Sequence, residues 1–362
     1  MELVNTVFRT DHGRAPTMEE EYPHLFAPEN LHNLRVILKD GKVVSHVGMT
    51  VRDAVILGCR VRVGNVGAVG TYREYRGQGL ASMCFRDACA HALEQGVDFL
   101  RISGDRGLYR RAGCRPVGLD WEFTVRRGCA AARRDGVRVE RYEDADLPAV
   151  ERIYEGEPVR YLRPLEEWRR VVRDGRSTHH RAELWVVRRG DEVVAYFALL
   201  PPRPDGTVGL EEFAGDRGAL LEALDELMEL KGLDEVTIHV QSHDRVLYNL
   251  LVGCGMEPRP VHSGGMHLIL NFAQFMDRLR PLMEERVGTK EADKLSFREY
   301  EGRCTFAYEG RTVVACDRGG AAQFVWGSRE PPEWEWLDEG EGREVLEAAF
   351  PVPALVYGFS YV

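Results

Sequence analysis

No run of apolar residues in this 362-residue sequence approaches the roughly 20 that a membrane-crossing helix needs, and the stretch VVAYFALLP (Val193 to Pro201) falls far short of it. No early apolar segment carries basic flanks, so no secretory leader is read and a cytoplasmic location is expected. Positive charge is in deficit, with 48 Lys and Arg against 58 Asp and Glu and a formal net charge of -10. Such a chain repels phosphate backbones and anionic lipid surfaces, so neither nucleic acid nor membrane is an expected partner, whereas a cationic small molecule would be attracted. The eight cysteines include no CxxC pair and no Cys/His cluster at zinc spacing, and read as reduced, packed thiols. His179-His180 is a lone pair read as surface, so no metal is expected.

What is present is an ordinary globular composition, 44% hydrophobic and 29% charged, in a chain longer than one core usually serves. Leu34 to Asp40 and Lys42 to Val51 alternate like two strands around KDGK, and Ala54 to Thr71 reads as two more. A helix is expected from about Gly79 to Gln95, followed by a strand at VDFLRIS. The plan then recurs. AELWVVRRGDEVVAYFALLPP parallels NLRVILKDGKVVSHVGMTV, TVGLEEFAGDRGALLEALDELM parallels the first strand, turn and helix, and VTIHVQ parallels FLRIS. A repeat of roughly 130 residues implies two related domains, joined by a linker at Gly128 to Gly136. From about Asn271 a third, small α+β unit is expected, with a helix at Phe275 to Arg286, strands around CTFAYEGRTVVACD and the acidic loop SREPPEWEWLDEGEG.

The stretch GTYREYRGQGLASM (Gly70 to Met83) joins a strand to a helix through Arg76-Gly77-Gln78-Gly79-Leu80-Ala81. A helix entered through Gly-x-Gly offers free backbone N–H groups at its positive end, which suits pyrophosphate oxygens. The competing reading is a plain strand-to-helix turn, since so short a pattern also arises by chance; its place between strand and helix favours a nucleotide-bearing cofactor.

YREYRGQGLA, followed by a strand and GLYRRAGCRPVG, resembles the GNAT superfamily of N-acetyltransferases. The resemblance implies an acetyl-CoA cosubstrate. Val69, Gly70 and Thr71 would pair by backbone with the pantetheine arm. Arg76, Gly77, Gln78, Gly79, Leu80, Ala81 and Ser82 would hold the pyrophosphate, with Gly104 and Asp105 touching the cofactor from the next turn, and Tyr109, in a Tyr-x-x-x-Gly pattern with Gly113, would stand by the sulfur. More narrowly, the whole chain resembles the enhanced intracellular survival (Eis) family. That resemblance implies an α/β (α+β) fold of two tandem GNAT-like domains, mixed sheets flanked by helices, plus a small sterol-carrier-like α+β domain. The expected division is a catalytic domain at 1–130, a degenerate copy at 137–270 and the sterol-carrier-like domain at 271–362, whose end enters the active site; the family also implies a homo-oligomer. Two departures stand out. Val4, Val7 and Phe8 match Val150, Ile153 and Tyr154, so the first copy lacks the opening strand of the second. The second copy's turn puts Glu211, Glu212 and Asp216 where a pyrophosphate would sit, so one cofactor site per chain is expected.

Acyl transfer from a thioester to an amine needs a neutral amine, a stabilised oxyanion and a proton for the departing thiolate. A phenol suits the last task, which falls to Tyr109. Many related enzymes carry a Glu on the strand before the glycine turn, yet Val63 to Tyr72 holds no carboxylate and no His. The base is sought in the α-carboxylate of Val362, with Asp105 next; Cys114 would imply an acyl-enzyme, but reads as a core thiol. The expected activity is acetyl-CoA-dependent N-acetyltransfer to an amine-bearing small molecule by direct transfer in a ternary complex. The alternatives are a non-catalytic acyl-CoA sensor or interaction protein, and a peptide or protein N-acetyltransferase.

Overall fold

The structure, a computed structural model, describes residues 1–129, 136–177 and 180–361. Residues 130–135 of the expected linker, His179 of the histidine pair, and Val362 lie outside the described residues. The chain divides into two compact units, the first built mainly from Met1–Gly118 and His262–Ala354, the second from Leu119–Val261 and Leu355–Ser360. The class is mixed α/β, with several sheets flanked by helices. No helix among the described residues is long and apolar enough to cross a membrane.

In the first unit, β1 (Arg35–Lys39), β2 (Lys42–Ile56) and β3 (Cys59–Thr71) form an antiparallel meander. The four strands expected over residues 34–71 are therefore three. Nothing between Val51 and Ala54 breaks the extended chain, and the reversal falls instead at Leu57 and Gly58, both at positive φ (47° and 82°), as a tight two-residue hairpin turn requires. From β3 the chain crosses through the helix Leu80–Glu94 to β4 (Phe99–Ile102), which lies parallel to β3. The spacing of Leu80, Cys84, Phe85, Ala88 and Ala92 gives that helix one buried face. Phe85, Ala88 and Ala92 pack with Val66, Val69, Val97 and Ile102 in one apolar cluster. The helix Glu2–Phe8 packs on β3 around Gly70, where a Cβ would stand 3.3 Å from Phe8 and 3.4 Å from Leu3 and Val7.

The strand after β4 in this sheet is not the next in sequence. Met266–Ile269 pairs antiparallel with β4, while Asp120–Arg126, placed by the sequence reading at the end of the first domain, pairs in the second unit with Glu235–Val240. Where the chain passes out of the first unit after Gly118 and returns at His262, the two passes are tied together: Ser263 N donates to Val117 O at 3.0 Å, and at Gly118 (φ +95°) a Cβ would fall 1.8 Å from Ser263 Oγ. Only glycine fits there.

The second unit carries the sheet ordered Leu210–Gly215, Glu192–Leu199, Glu183–Arg189, Val137–Arg141, with the helix Arg217–Lys231 following its edge strand as Leu80–Glu94 follows β3. The helix Leu147–Glu155 packs on the strands Glu192–Leu199 and Leu210–Gly215, as Glu2–Phe8 packs on β2 and β3. Within the remainder of the first unit, the single helix expected at Phe275–Arg286 is two, Phe272–Arg278 and Arg280–Val287, because Pro281 has no N–H to continue the first and suits the start of the second. Leu295–Tyr300, Arg303–Tyr308 and Arg311–Asp317 form an antiparallel sheet. Trp334 and Trp336 stack edge-on 5.3 Å apart and both pack on Phe324, as a packed loop.

Candidate active site

The site begins at a defect in β3. Gly48 of β2 faces Gly67, but His46 faces Gly70, so Ala68 and Val69 together oppose Val47 and form a bulge, with Ala68 at φ +50°. The parallel pairing of β3 with β4 stops at Val66 and Ile102, and among the described residues no strand pairs with 67–71 on the β4 side. The two strands thus cease to pair before the bulge, and the buried Val69, Gly70 and Thr71 form a lip without a strand partner on that side among the described residues. The carbonyl of Val69 accepts a hydrogen bond from Arg106 Nη1 at 3.2 Å, and Thr71 Oγ1 lies 2.9 Å from Ser45 Oγ.

Past Thr71 the chain makes a short 3-10 turn (Arg73–Tyr75) and enters the glycine turn. Gly77 (φ +77°) and Gly79 (φ +74°) are left-handed, a conformation that costs other residues about 1–2 kcal/mol. No atom lies within 4 Å of a Cβ placed at either glycine, so the space over the turn is open. Gly79 is the N-cap of Leu80–Glu94 and brings no side-chain acceptor to the helix start. The N–H groups of the first turn, which includes Ala81 and the half-buried Ser82, are left to solvent or ligand. Arg76 Nε braces the turn by donating to Thr71 O at 3.2 Å, Gln78 Oε1 accepts from Lys39 Nζ at 2.7 Å, and buried Leu80 pins the helix start to the core. The exposed Arg76 and the helix dipole make this an anion-attracting corner.

β4 leads through Gly104 and the exposed Asp105 into the short helix Gly107–Arg111, which carries Tyr109. The Tyr109 ring is 4% exposed, lies edge-on to Phe85 at 5.6 Å, and shares a cluster with Val69. Gly104 lets the backbone pass close by: a Cβ there would stand 3.4 Å from the ring. Burial pushes the phenol up to about 12, against a smaller opposite pull from Arg106, so it is a proton donor at neutral pH. Val69, Phe85 and Tyr109 thus bring the β3 lip, the glycine-turn helix and the phenol together. Cys114 is wholly buried and burial drives its thiol far above the ordinary value, which leaves it no thiolate to act as a nucleophile. Val362 is outside the described residues.

His46 lies on β2, outside the strand before the glycine turn, and no local motif marks it. It is buried, its Nδ1 lies 2.8 Å from the Ala68 carbonyl at the bulge and so carries the proton, and its Nε2 has no hydrogen-bond partner among the described residues. Burial outweighs that hydrogen bond and keeps the ring neutral. The signal lay in the cross-strand register, which the sequence does not display.

The second copy's turn is built to the opposite effect. Asp216 caps the helix Arg217–Lys231, its Oδ1 accepting from Ala219 N at 2.9 Å and its Oδ2 lying 3.2 Å from Arg189 Nη1. Its own carboxylate takes the N–H group that an anion would need. Glu212 points into the second unit's interior, with a side chain only 8% exposed.

Residues 1–117 match the family model described as acetyltransferase (GNAT) domain. No curated protein matches the sequence significantly. Among solved structures, the chain is similar to a GCN5-related N-acetyltransferase from Kribbella flavida (16% identity, 99% of this chain and 96% of that one, TM-score 0.67). It is also similar to a GCN5-related N-acetyltransferase from Anabaena variabilis (16%, 93% and 93%, 0.63) and to Eis1 from Mycobacterium abscessus (12%, 90% and 90%, 0.60). At these identities the likeness is one of fold.

Proposed function

We propose that this chain is an acetyl-CoA-dependent N-acetyltransferase that acts on an amine-bearing small molecule, cationic in keeping with the acidic chain, by direct transfer in a ternary complex. The observation that carries the reading is the uncapped start of Leu80–Glu94 beside a strand that parts from its neighbour, within the segment that matches the acetyltransferase (GNAT) domain. The helix start and Arg76 would take the pyrophosphate. The lip at Val69 to Thr71 would pair with the amide groups of the pantetheine arm and bring the thioester against Tyr109.

The amine nitrogen attacks the thioester carbonyl, the C–N bond forms, and the tetrahedral intermediate expels the thiolate as the C–S bond breaks. Tyr109 gives its proton to the sulfur; the amine's proton passes to a base. The resemblance to the Eis family makes that base the α-carboxylate of Val362, with Asp105 next. The inert Cys114 supports direct transfer over an acyl-enzyme. We read the chain's organisation as three domains (1–130, 137–270 and a sterol-carrier-like 271–362), in a cytoplasmic homo-oligomer. The test is CoA release from acetyl-CoA with a panel of small amines and peptides, products identified by mass spectrometry. Acetylated small amines support the reading. Acetylation of peptides alone would make the chain a peptide acetyltransferase, and CoA binding without turnover on any amine would make it a sensor.

A further inference from the structure

Near its end the chain is not frayed. Gly358, Phe359 and Ser360 form a helical turn buried in the second unit, where Phe359, 2% exposed, shares a cluster with Tyr154, Trp168 and Tyr196. The backbone of this turn meets Glu212. Oε1 of that carboxylate accepts from Arg163 Nη1 at 3.0 Å and from Tyr196 OH at 2.8 Å; Oε2 accepts from Arg163 Nη2 at 2.8 Å and from the Phe359 N–H at 3.1 Å. All the usual acceptor positions of a carboxylate are thus filled, the last of them by the C-terminal segment.

The rest of the seat is rigid. The Arg163 side chain is wholly buried, its guanidinium carbon 4.2 Å from the centre of Trp168 and 4.4 Å from that of Tyr154. A forked, charge-assisted pair held against two edge-on rings has little freedom to turn. Gly358 passes so close that a Cβ there would fall 2.2 Å from Glu212 Oε2, and its φ of +49° also favours glycine. A buried ion pair is no strong source of stability, since desolvation offsets the attraction, but it fixes what it binds in one place.

We infer that Glu212, held by Arg163 and Tyr196, is a positioning residue: it seats the turn Gly358–Ser360 and so fixes where the chain after Ser360 lies. The catalytic consequence rests on the acetyltransferase reading with a base at the chain end; the seat itself does not. The carboxylate that the repeat places at the second copy's degenerate turn holds the chain end in place of a pyrophosphate.

The experiment uses the full chain with Gly358→Ala, which keeps both charges of the buried pair and pushes a methyl group against Glu212 Oε2, and Glu212→Gln, which keeps the shape and removes the charge. Amide hydrogen exchange of 356–361, acetyl-CoA affinity, kcat and KM are measured on each. The seat predicts that exchange at Phe359 in Gly358→Ala rises about tenfold or more. Acetyl-CoA affinity stays within about twofold, and kcat falls about 10²-fold with little change in KM, as displacement of a catalytic group by about 1 Å would cause. Unchanged protection of Phe359 in Gly358→Ala overturns the seat, whether or not Glu212→Gln folds. Lost protection with kcat intact upholds the seat and removes the chain end from catalysis.

Discussion

The role proposed for Tyr109 depends on its surroundings. Its burial against Phe85 keeps the phenol protonated, and the same packing fixes the ring independently of its hydroxyl. Tyr109→Phe therefore keeps the packing and loses the proton. Steady-state assays should show turnover down by roughly 10²-fold or more, with acetyl-CoA affinity unchanged by calorimetry. His267 is a buried titratable group to which the proposed reaction assigns no role. It stacks on Phe99 (5.8 Å) and packs at a tilt on Trp326 (5.0 Å), and neither ring nitrogen has a hydrogen-bond partner among the described residues. Burial first, then the charge of Arg101, holds it well below its ordinary value of 6.5; burial does the same to His46. Unfolding lets these rings take up protons that the folded state refuses. Their contribution is thus intact above pH 6.5 and is lost as pH falls below it, by about 1.4 kcal/mol per pH unit for each histidine while it stays neutral in the fold. Urea titrations at pH 7.5 and 5.5 should show the loss, and His267→Leu should make the dependence shallower. Tyr109 was legible in sequence because its motif is local. His46 was not, because its meeting with Ala68, 22 residues on, depends on a register shift between the two strands.

At the scale of elements, the two strand-turn-helix units show one design with two outcomes. Gly79 leaves the helix start open, whereas Asp216 closes the equivalent start with its own carboxylate. Placing a carboxylate on the open one should reproduce the closed one: Gly79→Glu is expected to weaken acetyl-CoA binding by several kcal/mol through repulsion and blocked N–H groups. Gly79→Ala, which adds only the backbone strain of a left-handed alanine, should bind much nearer to wild type; calorimetry on both separates charge from strain. The turn, its helix and β4 could be read from glycine spacing and apolar periodicity, both set by nearby residues. The reach of β2 to Ile56 and the break at Pro281 were misplaced. Alternation does not say where a strand stops, and apolar spacing carried on across a proline that the backbone could not cross.

For the whole molecule, an open helix start in one copy and a closed one in the other predict a single acetyl-CoA per chain. Isothermal titration should give a stoichiometry of one, and two equivalent sites would contradict the assignment of Asp216 and Glu212. The sequence by itself determined the mixed α/β class, the glycine turn and the candidate phenol, because each is written in residues close along the chain. The tertiary structure alone decided which strand completes which sheet. Asp120–Arg126 and Met266–Ile269 each pair away from the copy the repeat assigns them to, since strand pairing answers to register and to the close pass of Gly118 by Ser263. It also decided the fate of Glu212, which local sequence marks only as a charge unsuited to phosphate. Arg163 and Phe359, 49 and 147 residues away, turn it into a buried seat, because a buried carboxylate persists only where distant donors meet it.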